Sequence, residues 1–149
     1  MNEYTSSAGL MWPATFPGSE NVDDPHCTVL FLGDVAAQPL ANPLALLLVV
    51  NDYLTAPDDI AVTGLEVFGG GEHSKVWVAT LDPASLAPLQ AGIKAEAVRW
   101  GFKDASSFPD YKPHVTLGRY YGEDTRPKAP KSVTLGELEA WWGNEHVKW

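Results

Sequence analysis

Residues 26–32, HCTVLFL, are a run of β-branched, aromatic and aliphatic side chains stopped by Gly33-Asp34, which predicts a strand. Residues 60–68 and 75–81 have the same character, and the glycine-rich segment GGGEHS joins them. That pattern predicts a hairpin with a loose loop. Residues 114–120 and 132–142 predict two further strands. Asn42-Pro43 supplies an N-cap with proline at the first helical position and opens a helix over about 43–54. Its core, LALLLVV, is apolar nearly all round, so the segment is either a mostly buried helix or a strand, and periodicity does not separate the two. A second helix is predicted over 85–100, with Pro88 in its first turn, where a missing N–H costs little. Residues 101–113 read as a loop. Residues 1–25 read as a partly ordered lead-in, flexible over 1–8, around an apolar island, Leu10-Met11-Trp12, that predicts a short strand. The order strand, helix, two strands, helix, two strands suggests a duplicated architecture, although the halves share little sequence.

Composition narrows this picture. At 149 residues, with 45% apolar and 19% charged residues, the chain is expected to form one soluble domain over 1–149. Its single cysteine, Cys27, excludes an internal disulfide framework and fits a reducing compartment. MNEYTSSAGL contains no basic or long apolar signal segment, and the longest apolar run, residues 44–50, is too short to span a bilayer. A cytoplasmic protein without a membrane partner is the expectation. The net charge of −9 argues against tracking long nucleic acid, which needs a basic footprint, but not against a small anionic ligand.

One short phrase occurs twice. Residues 25–29 read PHCTV and residues 113–117 read PHVTL, and these copies hold two of the four histidines. On a strand, residues i and i+2 share a face, so His26 aligns with Thr28 and His114 with Thr116, while Cys27, Val29, Val115 and Leu117 face the core. If the halves pack about a pseudo-two-fold axis, the two His/Thr pairs meet across a cleft. Two imidazoles flanking a phosphorus can divide acid–base work, one taking a proton from water and the other protonating the leaving oxygen. The threonine hydroxyls can donate to non-bridging phosphate oxygens. This chemistry calls for no metal or other cofactor.

These paired motifs resemble the 2H phosphoesterase superfamily, which includes the LigT-like RNA 2′,5′-ligase and cyclic phosphodiesterase proteins. HCTVLFLGD is similar to the first-motif strand, VTGLEVFGGGEHSKVWVATL to the middle hairpin, and FPDYKPHVTLGRY to the second motif. The resemblance threads residues 8 to 142, and the lead-in GLMWPATF with the overall brevity is most similar to small bacteriophage members. It implies an α+β, bilobal fold: two antiparallel β-sheets related by a pseudo-two-fold, flanking helices and a central groove. It makes His26 and His114 the acid/base pair and Thr28 and Thr116 the phosphate donors, without assigning which histidine is the acid. Cys27 takes a variable slot that faces the core and reads as packing.

The expected activity is opening of a small nucleotide phosphodiester by a monomer. A 2′,3′-cyclic phosphate, a 2′–5′ linkage or a cyclic oligonucleotide signal would be the substrate, the last fitting a phage counter-defence role. The rival classes are a nucleotide-binding module that does not cleave its ligand and an RNA-end ligase. Around the motifs, strict alternation puts Arg119 on the face opposite His114 unless a bulge intervenes. Tyr111 and Lys112 precede the second motif on a loop that would rim the groove, one offering a stacking surface and the other charge, with a solvated loop as the plainer reading. Phe108 either lines the groove or pins that loop, and Lys75 opens the middle hairpin within possible reach of the site. His73 and His146 have no partner at metal-ligand spacing. Trp141, Trp142 and Trp149 read most simply as packing.

Overall fold

The structure, a computed structural model, describes residues 7–22, 24–38, 42–69, 75–102, 111–143 and 145–149. Phe108, His73 and most of the glycine loop lie outside the described residues. The described residues form eight strands and two α-helices: β1 (Ser7–Thr15), β2 (His26–Asp34), α1 (Pro43–Val49), β3 (Asp58–Phe68), β4 (Val76–Leu81), α2 (Pro83–Arg99), β5 (His114–Arg119), β6 (Ser132–Leu135), β7 (Glu139–Trp142) and β8 (Glu145–Lys148). All pairings are antiparallel.

The strands form two groups, β2-β1-β7-β8 and β5-β4-β3. Strand β6 pairs with both β1 and β3, and a single pair, Cys27↔Val115, joins β2 to β5. The two sheets implied by the resemblance are therefore continuous in one hydrogen-bonded network, with the two motif strands at the seam. One face of the network covers the core, which includes Leu10, Trp12, Cys27, Leu46, Leu47, Leu81, Leu86, Ile93 and Val115, all essentially inaccessible to solvent. Burying side chains of this size is the main stabilising contribution, at about 25 cal/mol per Å² of apolar surface.

Local chemistry explains most elements. The Asn42 side chain accepts from the Leu44 N–H and Pro43 occupies the first helical position, so the apolar run after it is helix α1. Its Leu46 and Leu47 are buried, while Leu44 and Leu48 are exposed. Helix α1 stops at Val49, and a separate 3₁₀ turn follows over Asn51–Tyr53.

Helix α2 starts two residues before its expected position. Asp82 is the N-cap, accepting from the Ala84 N–H, and Pro83 is the first residue, so Pro88 sits inside the helix and not in the first turn. The lead-in is also more ordered than its composition suggests: β1 begins at Ser7 and runs nine residues as a strand between β2 and β7. The strand expected over 132–142 is two strands, broken at residues 136–138, and Gly143, at a φ of 62°, turns the chain into β8. Among the described residues, no helix is long and apolar enough to cross a membrane.

Candidate active site

The seam pair fixes the orientation of the repeated phrase. Side chains opposite one another in a ladder share a face, so Cys27 and Val115, both fully buried, point into the core together. Their neighbours His26, Thr28, His114 and Thr116 then share the other face, and all four are half-buried. An antiparallel pair has a local two-fold axis through its centre. Around Cys27↔Val115 that axis relates His26 to His114 and Thr28 to Thr116, which places each histidine next to the threonine of the other motif. The two histidines are themselves diagonal neighbours, and in an undistorted ladder such positions stand about 7–8 Å apart, a span that admits a phosphate.

The symmetry extends to the imidazoles' anchors. His26 Nδ1 lies 2.8 Å from the Asp24 carbonyl oxygen, and His114 Nδ1 lies 2.8 Å from the Lys112 carbonyl oxygen. A carbonyl only accepts, so each Nδ1 carries the proton and donates it, which leaves Nε2 of both rings for proton transfer. Asp24 holds its carbonyl there with a φ of 44°, a left-handed conformation that aspartate tolerates better than most residues. Burial lowers the basicity of both rings below the ordinary imidazole value. The backbone hydrogen bonds oppose this. His114 and His146 add to the lowering at His26 while the Asp24 charge opposes it, and Glu66 favours the charged form of His114.

A bulge follows the threonine in both motifs. On β5, Thr116 pairs with Val78 and Gly118 with Trp77, leaving Leu117 as an extra residue. Arg119 then pairs with Val76 and returns to the face of His114, so strict alternation does not describe its position. On β2, Thr28 pairs with Met11 and Leu30 with Leu10, leaving Val29 as the extra residue, and Phe31, opposite Gly9, returns to the face of His26. Phe31 and Arg119 are therefore equivalent positions in the two halves, three residues after each threonine. Neither was legible from period-2 spacing.

The remaining candidates separate clearly. The half-buried ring of Tyr111 packs against the core and does not rim the groove; its hydroxyl donates to the Thr28 carbonyl at 2.8 Å and lies 3.6 Å from Cys27 Sγ. Burial pushes that hydroxyl's pKa up, so it remains a donor, and burial likewise pushes the Cys27 thiol up to about 11. Lys112 is exposed and contributes its carbonyl to His114. Lys75 is exposed just before β4, where its carbonyl accepts from the Tyr120 N–H. Phe68 meets the His114 ring edge-on at 4.7 Å, and Trp141 meets the His26 ring at 4.3 Å. Composition alone read Trp141 as packing; only the pairing of β7 with β1 brings it to the motif face. A small apolar hollow lined by Gly9, Met11, Phe31 and Trp141 lies on the same face. Among the described residues, no three His, Cys, Asp or Glu side chains converge as a metal site.

Comparison with known proteins gives these features a context. Residues 11–145 match the family model of the 2′-5′ RNA ligase superfamily. Over 117 residues the chain is 32% identical to an RNA 2′,3′-cyclic phosphodiesterase of Methanothermobacter thermautotrophicus, an alignment covering 76% of this chain and 59% of that protein. The chain thus spans less than two thirds of that relative's length. A crystal structure of a phosphoesterase superposes with a TM-score of 0.56 at 19% identity, covering 91% of this chain and 86% of that one. The crystal structure of E. coli LigT complexed with 3′-AMP superposes with a TM-score of 0.54 at 19% identity, covering 95% and 96%.

Proposed function

The chain belongs to the 2′-5′ RNA ligase superfamily, and from that membership we propose that it is a metal-independent phosphodiesterase acting on a small nucleotide phosphodiester, a 2′,3′-cyclic phosphate first among the candidates. One observation carries the reading: two imidazoles, each with Nδ1 tied to a carbonyl, share a half-buried face with two threonines about a local two-fold axis. In the proposed reaction the phosphate sits between the histidines. One Nε2 takes a proton from water as the water oxygen bonds to phosphorus. The other Nε2–H gives its proton to the departing ribose oxygen as that P–O bond breaks, so the pair ends with its protons exchanged and returns through solvent. Thr28 and Thr116 donate to the non-bridging oxygens, where negative charge builds.

Beyond the four motif residues, the paired bulges suggest a division of labour. Arg119 brings a fixed positive charge to the face that a phosphate would occupy. Phe31 offers an apolar surface against which a base can stack. Resemblance to a cyclic phosphodiesterase moves the leading substrate from a signalling nucleotide to a cyclic phosphate end. A cyclic oligonucleotide and a 2′–5′ dinucleotide stay in the test as rivals.

The test is incubation in EDTA with a 2′,3′-cyclic mononucleotide, a 2′–5′ dinucleotide and a cyclic dinucleotide, with products resolved by chromatography. Turnover of the cyclic phosphate to one phosphomonoester is expected. Ligand recovered intact after saturating incubation would favour a binding module instead, and loss of turnover on chelation would remove the metal-independent mechanism.

A further inference from the structure

The two halves of the site match in their motif residues and differ one layer out. His114 has the edge of Phe68 and the charge of Glu66 beside it. His26 instead has Trp141, whose indole also stacks on His146 at 3.9 Å with the rings 1° from parallel. Glu139, the only buried charged residue among those described, fixes that indole: its Oε1 accepts from Trp141 Nε1 at 3.2 Å, and its Oε2 lies 3.7 Å from Lys148 Nζ. Across the ladder Trp141 faces Gly9, which carries no side chain to displace the indole.

We propose that Trp141 is a positioning residue for His26, held by Glu139 and stacked by His146, and that this one-sided cluster makes two symmetry-related histidines inequivalent. A face-to-face imidazole–indole stack restricts the indole plane, and the hydrogen bond to Glu139 fixes its rotation, so the ring presented to His26 has one orientation. The charged groups around the two rings differ in the same sense. His26 is faced by Asp24 from its own segment, His114 from β5 and His146 from β8, with Glu139 and Lys148 beyond the indole. Burial is the main cause at both rings; beyond it, His114 and His146 push His26 toward its neutral form against the pull of Asp24, while Glu66 pulls His114 toward its charged form. Which histidine meets the attacking water still follows from the orientation of the bound ester.

The kinetic arm rests on the phosphodiesterase reading, whereas the titration arm needs no substrate. Trp141→Leu and His146→Gln are made in the full chain, and the imidazole C–H resonances of His26 and His114 are followed by NMR from pH 4.5 to 8.5. In both variants the His26 midpoint is expected to rise, because each loses part of what disfavours its charge, while His114 moves less. Trp141→Leu is further expected to lower kcat about tenfold, with KM within about twofold, as a slightly misplaced proton donor or acceptor would. His146 is exposed, so His146→Gln keeps the titration decisive even if Trp141→Leu does not fold. An unmoved His26 midpoint would overturn the proposal, and so would a Trp141→Leu effect confined to KM, which would make the indole a substrate contact. Absence of turnover in the wild-type chain would instead count against the phosphodiesterase reading and leave the titration result standing.

Discussion

Replacing Tyr111 with phenylalanine tests how the two motifs are held together. The motif strands share a single ladder pair, Cys27↔Val115, and the Tyr111 hydroxyl adds the bond to the Thr28 carbonyl at 2.8 Å. Tyr111→Phe keeps the ring in the core and removes only the donor. A typical intramolecular hydrogen bond contributes about 1 kcal/mol net, and the part-buried Thr28 carbonyl keeps only the long, weak contact from Cys27 Sγ at 3.8 Å, for a loss of about 1–2 kcal/mol. In a domain of this size that lowers the melting temperature by about 3–6 °C. Urea unfolding followed by tryptophan fluorescence should show a lower midpoint at unchanged slope, since the surface exposed on unfolding stays the same. Freed from its anchor, Thr28 should aim its hydroxyl less well, and kcat should fall by roughly threefold to tenfold while KM holds. A variant within about 0.3 kcal/mol of wild type and with full kcat would refute the claim that this hydroxyl couples the motifs, because surface-like neutrality is not expected of a buried donor.

Further outcomes follow from the same geometry. Both imidazoles titrate below their ordinary value of 6.5, so the unfolded chain binds more protons than the folded one as pH falls below that value. Their contribution to stability is therefore complete above pH 6.5 and declines as pH falls through the folded values. His26→Asn/His114→Asn should flatten the fall in urea midpoint between pH 7 and 5.5. For the same reason, kcat/KM should be bell-shaped with its maximum on the acid side of 6.5, and a profile flat from pH 5 to 9 would exclude paired acid–base catalysis. Arg119→Ala should raise KM for the cyclic phosphate roughly fivefold at low salt, less at 0.5 M salt, because the exposed charge is screened there; a salt-independent effect would assign the loss to structure. Cys27, fully buried with its thiol pushed up to about 11, should resist alkylation at pH 8 until urea unfolds the chain.

The shared face of His26, Thr28, His114 and Thr116 was legible in the sequence because period-2 geometry acts on every short strand in the same way: one buried letter between His and Thr is enough to set the face. The strands of the middle hairpin and the second helix were legible from similarly local signals. What lay beyond reach was set by pairing between distant segments. Strand β1 contains Gly9 and Pro13 in a Ser- and Pro-rich context, and it forms because β2 and β7 flank it. The extra residues Val29 and Leu117 leave no mark in composition, yet they decide where Phe31 and Arg119 point. Trp141 reads as packing until β7 is seen beside β1, and Tyr111 reads as a rim residue until its hydroxyl is found on Thr28.

The most direct test of the central claim is kcat/KM on a 2′,3′-cyclic mononucleotide for wild type, His26→Asn, His114→Asn and the double variant. Asparagine can keep the donor that each Nδ1 gives its carbonyl while removing Nε2 chemistry, so the fold is preserved and circular dichroism should confirm it. If the histidines act as one acid–base pair, each single variant should lose about 10³-fold or more, and the double variant should be little worse than either. Full activity in either single variant, or losses that simply multiply, would contradict the account.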